Sequence, residues 1–218
     1  MCPESRQQKL FTINPEDLAY WYFRLNGFLT IKNFVVHPDV GSRQRTDVDI
    51  IACRFPHRSE LNENSMIDDP QLINNCQRIL IYFAEVKEGT CNLNGPWTDR
   101  HKCNMQRFLR SLGAFPAEEN ENVAEYLYNK GVFENDDYRV SLLCIGSQLN
   151  NDKKPEYPEV IQILWKNVLE FIYDRFRKYK DQKRDHSQWD LLGKKLYDIA
   201  TRCNNKDEFF RQIEVRNR

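Results

Sequence analysis

Glu85 and Lys87 stand two apart at the polar end of an apolar run, Ile79 to Val86 (ILIYFAEV). In an extended strand that spacing sends both side chains out of one face while Val86 points the other way, so an acid and a base are presented together. Such charges are costly to desolvate unless they face a cleft, pair with each other or bind something. Asp47 and Asp49 repeat the spacing at the start of another apolar run, Val48 to Phe55 (VDIIACRF), and Glu16 adds a carboxylate near the amino terminus. Taken singly, each has a plainer reading: Glu85 and Lys87 as a strand-end ion pair, Asp47 and Asp49 as turn residues, Glu16 as a favourable charge on a helix dipole. A zinc site built from Cys91, His101 and Cys103 would lack both the paired close spacing of structural zinc motifs and a fourth ligand. His37, His57 and His186 have no partner identifiable from the sequence.

The elements that must carry these groups follow from local signals. Asn14, Pro15 and the acids Glu16 and Asp17 form a helix start, Leu18 to Leu25 continue it, and Asn26-Gly27 ends it. Phe28 to His37 reads as a first strand bounded by Pro38, Asp39 and Gly41. Val48 to Phe55 and Ile79 to Val86 read as two central strands, with a polar insertion, Pro56 to Arg78, between them as surface loop; Asp68-Asp69-Pro70 could start one short helix there. A helix is expected around Arg100 to Leu112, ending at Gly113, and a fourth strand at Tyr138 to Gly146. Pro158 to Lys180 carries apolar residues at the spacing of one helix face, and further helices are expected over Trp189 to Ala200 and at the end. The order is α, β, β, β, α, β and a helical tail, an α/β or α+β domain.

This constellation resembles the restriction-endonuclease-like nucleases, the PD-(D/E)xK superfamily, whose shared core runs α, β, β, β, α, β with a mixed central sheet flanked by helices. PEDLAYWYFRLNGF (Pro15 to Phe28) is similar to the glutamate-led first helix of resolvase-like members, and TDVDIIA (Thr46 to Ala52) to their acid, apolar, Asp, apolar strand. The resemblance covers residues 14 to 147 and leaves out the helical tail. It implies a metal-dependent nuclease hydrolysing DNA phosphodiester bonds, with Asp49, Glu85, Lys87 and Glu16 as catalytic residues. It also implies Mg²⁺ or Mn²⁺ as cofactor, held by Asp49, Glu85 and the Val86 carbonyl, with Lys87 positioning or activating the attacking water. Asp47, Gln106 and Trp97 are accessory candidates; Trp97, in NLNGPW (Asn92 to Trp97) at the cleft mouth, either stacks on a base or packs in the core. Val48 stands where many members have proline, and the insertion lengthens the spacing between the motif halves. A catalytically silent binding or scaffolding module, acting with a partner protein, is the alternative.

Composition sets limits on both readings. The chain has 218 residues, 40% hydrophobic and 29% charged, enough for one core: a nuclease-like unit over 1–150 and a helical extension over 151–218. Thirty-two basic and thirty-two acidic side chains cancel, so no overall field draws it to DNA, its expected partner, or to a membrane. Arg175 to Lys183 is locally basic and Ala117 to Glu125 acidic, both read as solvated surface. Trp165, Phe171, Phe176 and Trp189 in the tail either pack on the core or form a homodimer or partner surface. Seven scattered cysteines without a CxxC pair read as reduced, mostly buried thiols. No run approaches the roughly 20 apolar residues of a membrane span and no apolar leader opens the chain, so a cytoplasmic location is expected.

Overall fold

A computed structural model describes residues 10–41, 45–73, 77–151, 159–186 and 189–216. A short strand, β1 (Phe11–Ile13), leads into helix α1 (Pro15–Leu25), whose amino end is capped by the Asn14 side chain accepting the Glu16 N–H at 2.9 Å. Gly27, with φ of 78°, turns the chain out of the helix into β2 (Leu29–Val36). There follow β3 (Thr46–Arg54), β4 (Ile79–Val86), the single turn α2 (Gly95–Thr98), α3 (Asn104–Leu112), α4 (Asn120–Lys130), β5 (Val132–Glu134) and β6 (Tyr138–Gly146). The chain closes with β7 (Ile161–Leu164), α5 (Trp165–Lys178), α6 (Leu191–Arg202), α7 (Lys206–Gln212) and β8 (Ile213–Val215).

The protein is mixed α/β, with helices on both faces of a mixed six-stranded sheet of order β2-β3-β4-β6-β5, in which β7 also pairs with β6. β2 is antiparallel to β3 and β3 to β4, while β6 lies parallel to β4 along the whole length of β4, from Ile79↔Tyr138 to Val86↔Ile145. β4 is central in the sheet and covered by a core layer on each face, which is why its sequence is almost continuously apolar. One face packs under α1, α5, α6 and α7, through Leu80, Tyr82 and Ala84 against Phe23, Ile172 and Phe176. The other packs under α3 and α4, through Ile81 and Phe83 against Phe108, Leu109 and Leu127. β1 and β8 pair in parallel as a separate two-stranded sheet that joins the two ends of the described chain. Among the described residues no helix is long and apolar enough to cross a membrane.

Three expectations from sequence need correction. The segment read as one helix from Pro158 to Lys180 begins instead with β7: Ile161 and Ile163 are β-branched and pair with the second half of β6, from Leu143↔Ile161 to Gly146↔Leu164. β5 covers only the first half of that edge, Arg139 to Ser141, and leaves the rest for β7. The acidic stretch Ala117 to Glu125 leads into α4, whose Val123, Ala124, Leu127 and Tyr128 are buried. The insertion Pro56 to Arg78 is not merely surface: Leu72 and Asp69 are buried, and the start at Asp68-Asp69-Pro70 makes a turn, with Leu72 N–H on the Asp69 carbonyl at 2.9 Å. The tail's Phe171, Phe176, Trp165 and Trp189 pack within this chain, Trp189 against Trp21 with ring centroids 5.3 Å apart.

A candidate active site at a fork in the sheet

The ladder between β3 and β4 begins at Arg54↔Leu80 and stops at Ile50↔Ala84. Beyond that point β3 stays with β2 as far as Val36↔Thr46, and β4 stays with β6 as far as Val86↔Ile145. The sheet therefore forks, and Asp49 and Glu85 are the first residues on its two prongs. Asp49 bridges the gap: its Oδ2 accepts the Val86 N–H at 2.7 Å, in place of a ladder bond.

A second irregularity coincides with the fork. Ile50 and Ala52 face one core layer and Ile51 the other, as strand alternation requires, yet Val48 packs with Ile51's layer rather than Ile50's. The facing switches at Asp49. Across from it, between the partners of Ile50 and Val48, Asn33 of β2 adopts φ of 53°, the left-handed region that asparagine tolerates better than most residues. The Asn33 side chain lowers the Glu16 carboxyl against the larger effect of burial, which places the first turn of α1 beside the fork.

Glu85 is 3% exposed and both of its oxygens are engaged. Lys87 forms an ion pair with Oε1, and the Trp97 indole N–H donates to Oε2 at 3.0 Å. Lys87 in turn donates to Asn94 Oδ1 at 3.0 Å, and its backbone carbonyl accepts the Trp165 indole N–H at 2.9 Å. Burial first and the Asp49 charge second push Glu85 up to about 7 from an ordinary 4.5, against the opposing pull of Lys87 and Trp97. Asp49 is also raised, chiefly by burial, although the Val86 N–H and Lys87 lower it. Glu16 is raised by burial and then by Asp49. Asp49 thus acts against both other carboxylates, with Lys87 beside Asp49 and Glu85 and Lys32 beside Glu16.

The structure brings Glu16, Asp49, Glu85, Val86 and Lys87 together. Asp47 is exposed and reaches the group through its charge on Asp49. Gln106 is not part of it: its Nε2 donates to Glu121 of α4 at 3.2 Å. Trp97 is buried at 3% exposure with its ring edge-on to Phe108, so it presents no face for base stacking and instead orients Glu85. Asn33 and Asn94 were not singled out by sequence reasoning, and Trp165 was noted only as an aromatic of the tail. An asparagine interrupting a β-branched run was the available signal for Asn33, and Asn94 lies in the segment expected at the cleft mouth.

The donor chemistry suits a hard divalent cation: carboxylate oxygens from Asp49 and Glu85, on adjoining prongs, with an uncompensated negative charge between them. Among the described residues no group of three His, Cys, Asp or Glu is arranged to hold a metal. Mg²⁺, however, is commonly held by one or two carboxylates with water completing its shell. Comparison of the chain with family models, with curated proteins and with solved structures finds no match.

Proposed function

We propose that the chain is a metal-dependent nuclease with a restriction-endonuclease-like core, acting on DNA. The observation that carries the reading is the fork: two strands part where each bears an acid, and a lysine two residues beyond one acid occupies the same face. The order α1, β2, β3, β4, α3, β6 agrees with that core, with α2, α4 and β5 as additions. Asp49 and Glu85 would hold Mg²⁺ or Mn²⁺, with the Val86 carbonyl and Glu16 beside them. Bound there, the ion supplies neutralisation of phosphate charge and a hydroxide near neutral pH.

The chain's own residues do the rest. Lys87, oriented by Asn94, offers its ammonium to the oxygen that becomes negative as the phosphodiester breaks. Trp97 holds Glu85 in one orientation, so the carboxylate needs little rearrangement to bind. Lys87 must release Glu85 Oε1 for that oxygen to serve as a ligand, which couples cation binding to freeing of the ammonium.

The test is cleavage of supercoiled, linear and single-stranded DNA with Mg²⁺ or Mn²⁺. Asp49→Ala and Lys87→Ala should each lower the rate by about 10²–10³-fold while leaving the fold intact by circular dichroism. A second reading, a catalytically silent binding or scaffolding module, is favoured by the engagement of both Glu85 oxygens. Folded wild-type protein that cuts nothing and takes up no Mn²⁺ would select it.

A further inference from the structure

Beyond β4 the chain returns as a loop over the end of β6, and two buried thiols meet beneath it. Cys91 is 2% exposed and Cys144, on β6, is 1% exposed. Each sulfur lies against the backbone of the other's segment: Cys144 Sγ lies 3.7 Å from the Asn92 carbonyl oxygen, next to Cys91 in sequence. Their positions are fixed by backbone. The Cys91 N–H donates to the Gln148 carbonyl at 2.8 Å, the Asn92 N–H donates to Cys144 Sγ at 3.1 Å, and Cys91 Sγ lies 3.7 Å from the Cys144 carbonyl oxygen. The loop is pressed tightly onto the strand end: the Ser147 N–H donates to the Gly89 carbonyl at 2.7 Å, and a Cβ at Gly146 would come within 2.5 Å of that oxygen and 3.1 Å of Cys91 Sγ. Glycine at 146 is what lets the loop and the Cys91 sulfur lie this close to the end of β6.

We propose that Cys91 and Cys144 form a redox modification site, joined reversibly as a disulfide when a hydroperoxide oxidises them. Thr90 and Asn92 on either side of Cys91 are exposed, so a small local opening of the loop brings its sulfur to solvent. Cys91 is the attacking thiol, since it lies in the loop between exposed neighbours, whereas Cys144 is held within β6 between its pairings to β4 and β7. Cys91 sulfur attacks one peroxide oxygen as the O–O bond breaks, and the thiol proton leaves with the departing oxygen as water, giving a sulfenic acid. Cys144 sulfur then displaces the sulfenic hydroxyl, which leaves with the Cys144 proton as a second water. Two thiols are oxidised by two electrons and one hydrogen peroxide is reduced to two waters.

The pair sits against the candidate site. Cys144 is the ladder partner of Glu85, and Cys91 lies three residues before Asn94, which orients Lys87. A disulfide would anchor the Asn94 loop to the strand beside Glu85. This consequence rests on the nuclease reading; formation of the disulfide does not.

The experiment treats the reduced full chain with hydrogen peroxide, alkylates it under denaturing conditions and maps the cysteines by mass spectrometry. Cys91 and Cys144 should be lost from the alkylated pool together, appear as one cross-linked peptide lighter by two hydrogens, and return with dithiothreitol. In Cys91→Ser, Cys144 should stay alkylatable under the same treatment. Oxidation of Cys91 to sulfinic acid without a cross-link, a cross-link to another cysteine, or persistence of both thiols while exposed Cys103 is oxidised would each overturn the proposal. DNA cleavage measured in parallel separates the two ideas. A disulfide in protein that cuts in neither state supports this inference and counts against the nuclease, while cutting that is unchanged by the disulfide removes its link to the site.

Discussion

Two clusters of charge lie towards opposite ends of β3, one at Arg54 and one at Asp49, and they are built in opposite ways. Where the insertion docks on α5, Arg175, fully buried, bonds Glu60 and Asp68, the latter at 2.7 Å. Arg54 and Arg58 also bond Asp68, at 2.8 and 2.9 Å, and Lys183 pairs with Glu60. Burial works to raise Glu60, yet Lys183, Arg175 and Arg58 together hold it below its ordinary value. At the fork the ratio is reversed, and Glu16, Asp49 and Glu85 are all raised. A cluster whose acids are over-matched by cations is finished as it stands and serves to hold the insertion in place. One whose acids are under-matched is left with affinity for a cation, which is the physical mark of a site rather than of a brace.

The contrast predicts mutational effects of opposite sign. Arg175→Ala should be the most damaging, costing about 3–5 kcal/mol in urea denaturation, because it empties a fully buried site and removes the bonds that tie Glu60 and Asp68 of the insertion to α5. A loss below about 1 kcal/mol would mean the network braces nothing.

Glu85 should behave in the reverse sense. Its folded value is raised, so the stability it contributes is complete below its ordinary 4.5 and is lost as pH rises through about 7. The wild type should therefore weaken by about 3 kcal/mol from this group across that window. Glu85→Gln should flatten the slope between pH 5 and pH 8 and be the more stable protein at the upper end. Identical slopes for the two proteins would place Glu85 among fully compensated acids and erase the comparison.

The smallest effect is expected at Trp97→Phe, which keeps the ring and removes the donor to Glu85. It should cost about 2 kcal/mol at pH 8, where the acceptor is charged, and clearly less at pH 5. An equal cost at both pH values would point to packing against Phe108 as the whole of its role.

Much of the fold was legible because its signals are local. The cap at Asn14 with Pro15 defined α1, and the apolar runs defined β4 and β6 with the bounds observed. β7 was hidden because Val160, Ile161 and Leu164 satisfy helical spacing equally well, and the open edge of β6 that recruits them is not written near them in sequence. α4 was hidden by acids on its outer face. At the site, the same-face pairing of Glu85 with Lys87 follows from a period of two and needed no structure. The insertion's Asp69, which accepts the Tyr22 hydroxyl at 2.7 Å, could not be told from a surface turn residue, since its partner is 47 positions away.

The sequence by itself determined α1, the strands β2, β3, β4 and β6 and the helix α3, and that an acid and a base would leave one strand together, because caps, alternation and turn residues act within a few positions of themselves. The tertiary structure alone decided that β3 and β4 part at Asp49 and Glu85, that Asn33 turns left-handed opposite the fork, and that Thr12 meets Glu214 across the chain's length. It also decided which buried acids are matched by cations. Burial and charge balance are set by neighbours distant in the chain, and their placement exists only once the layers have packed.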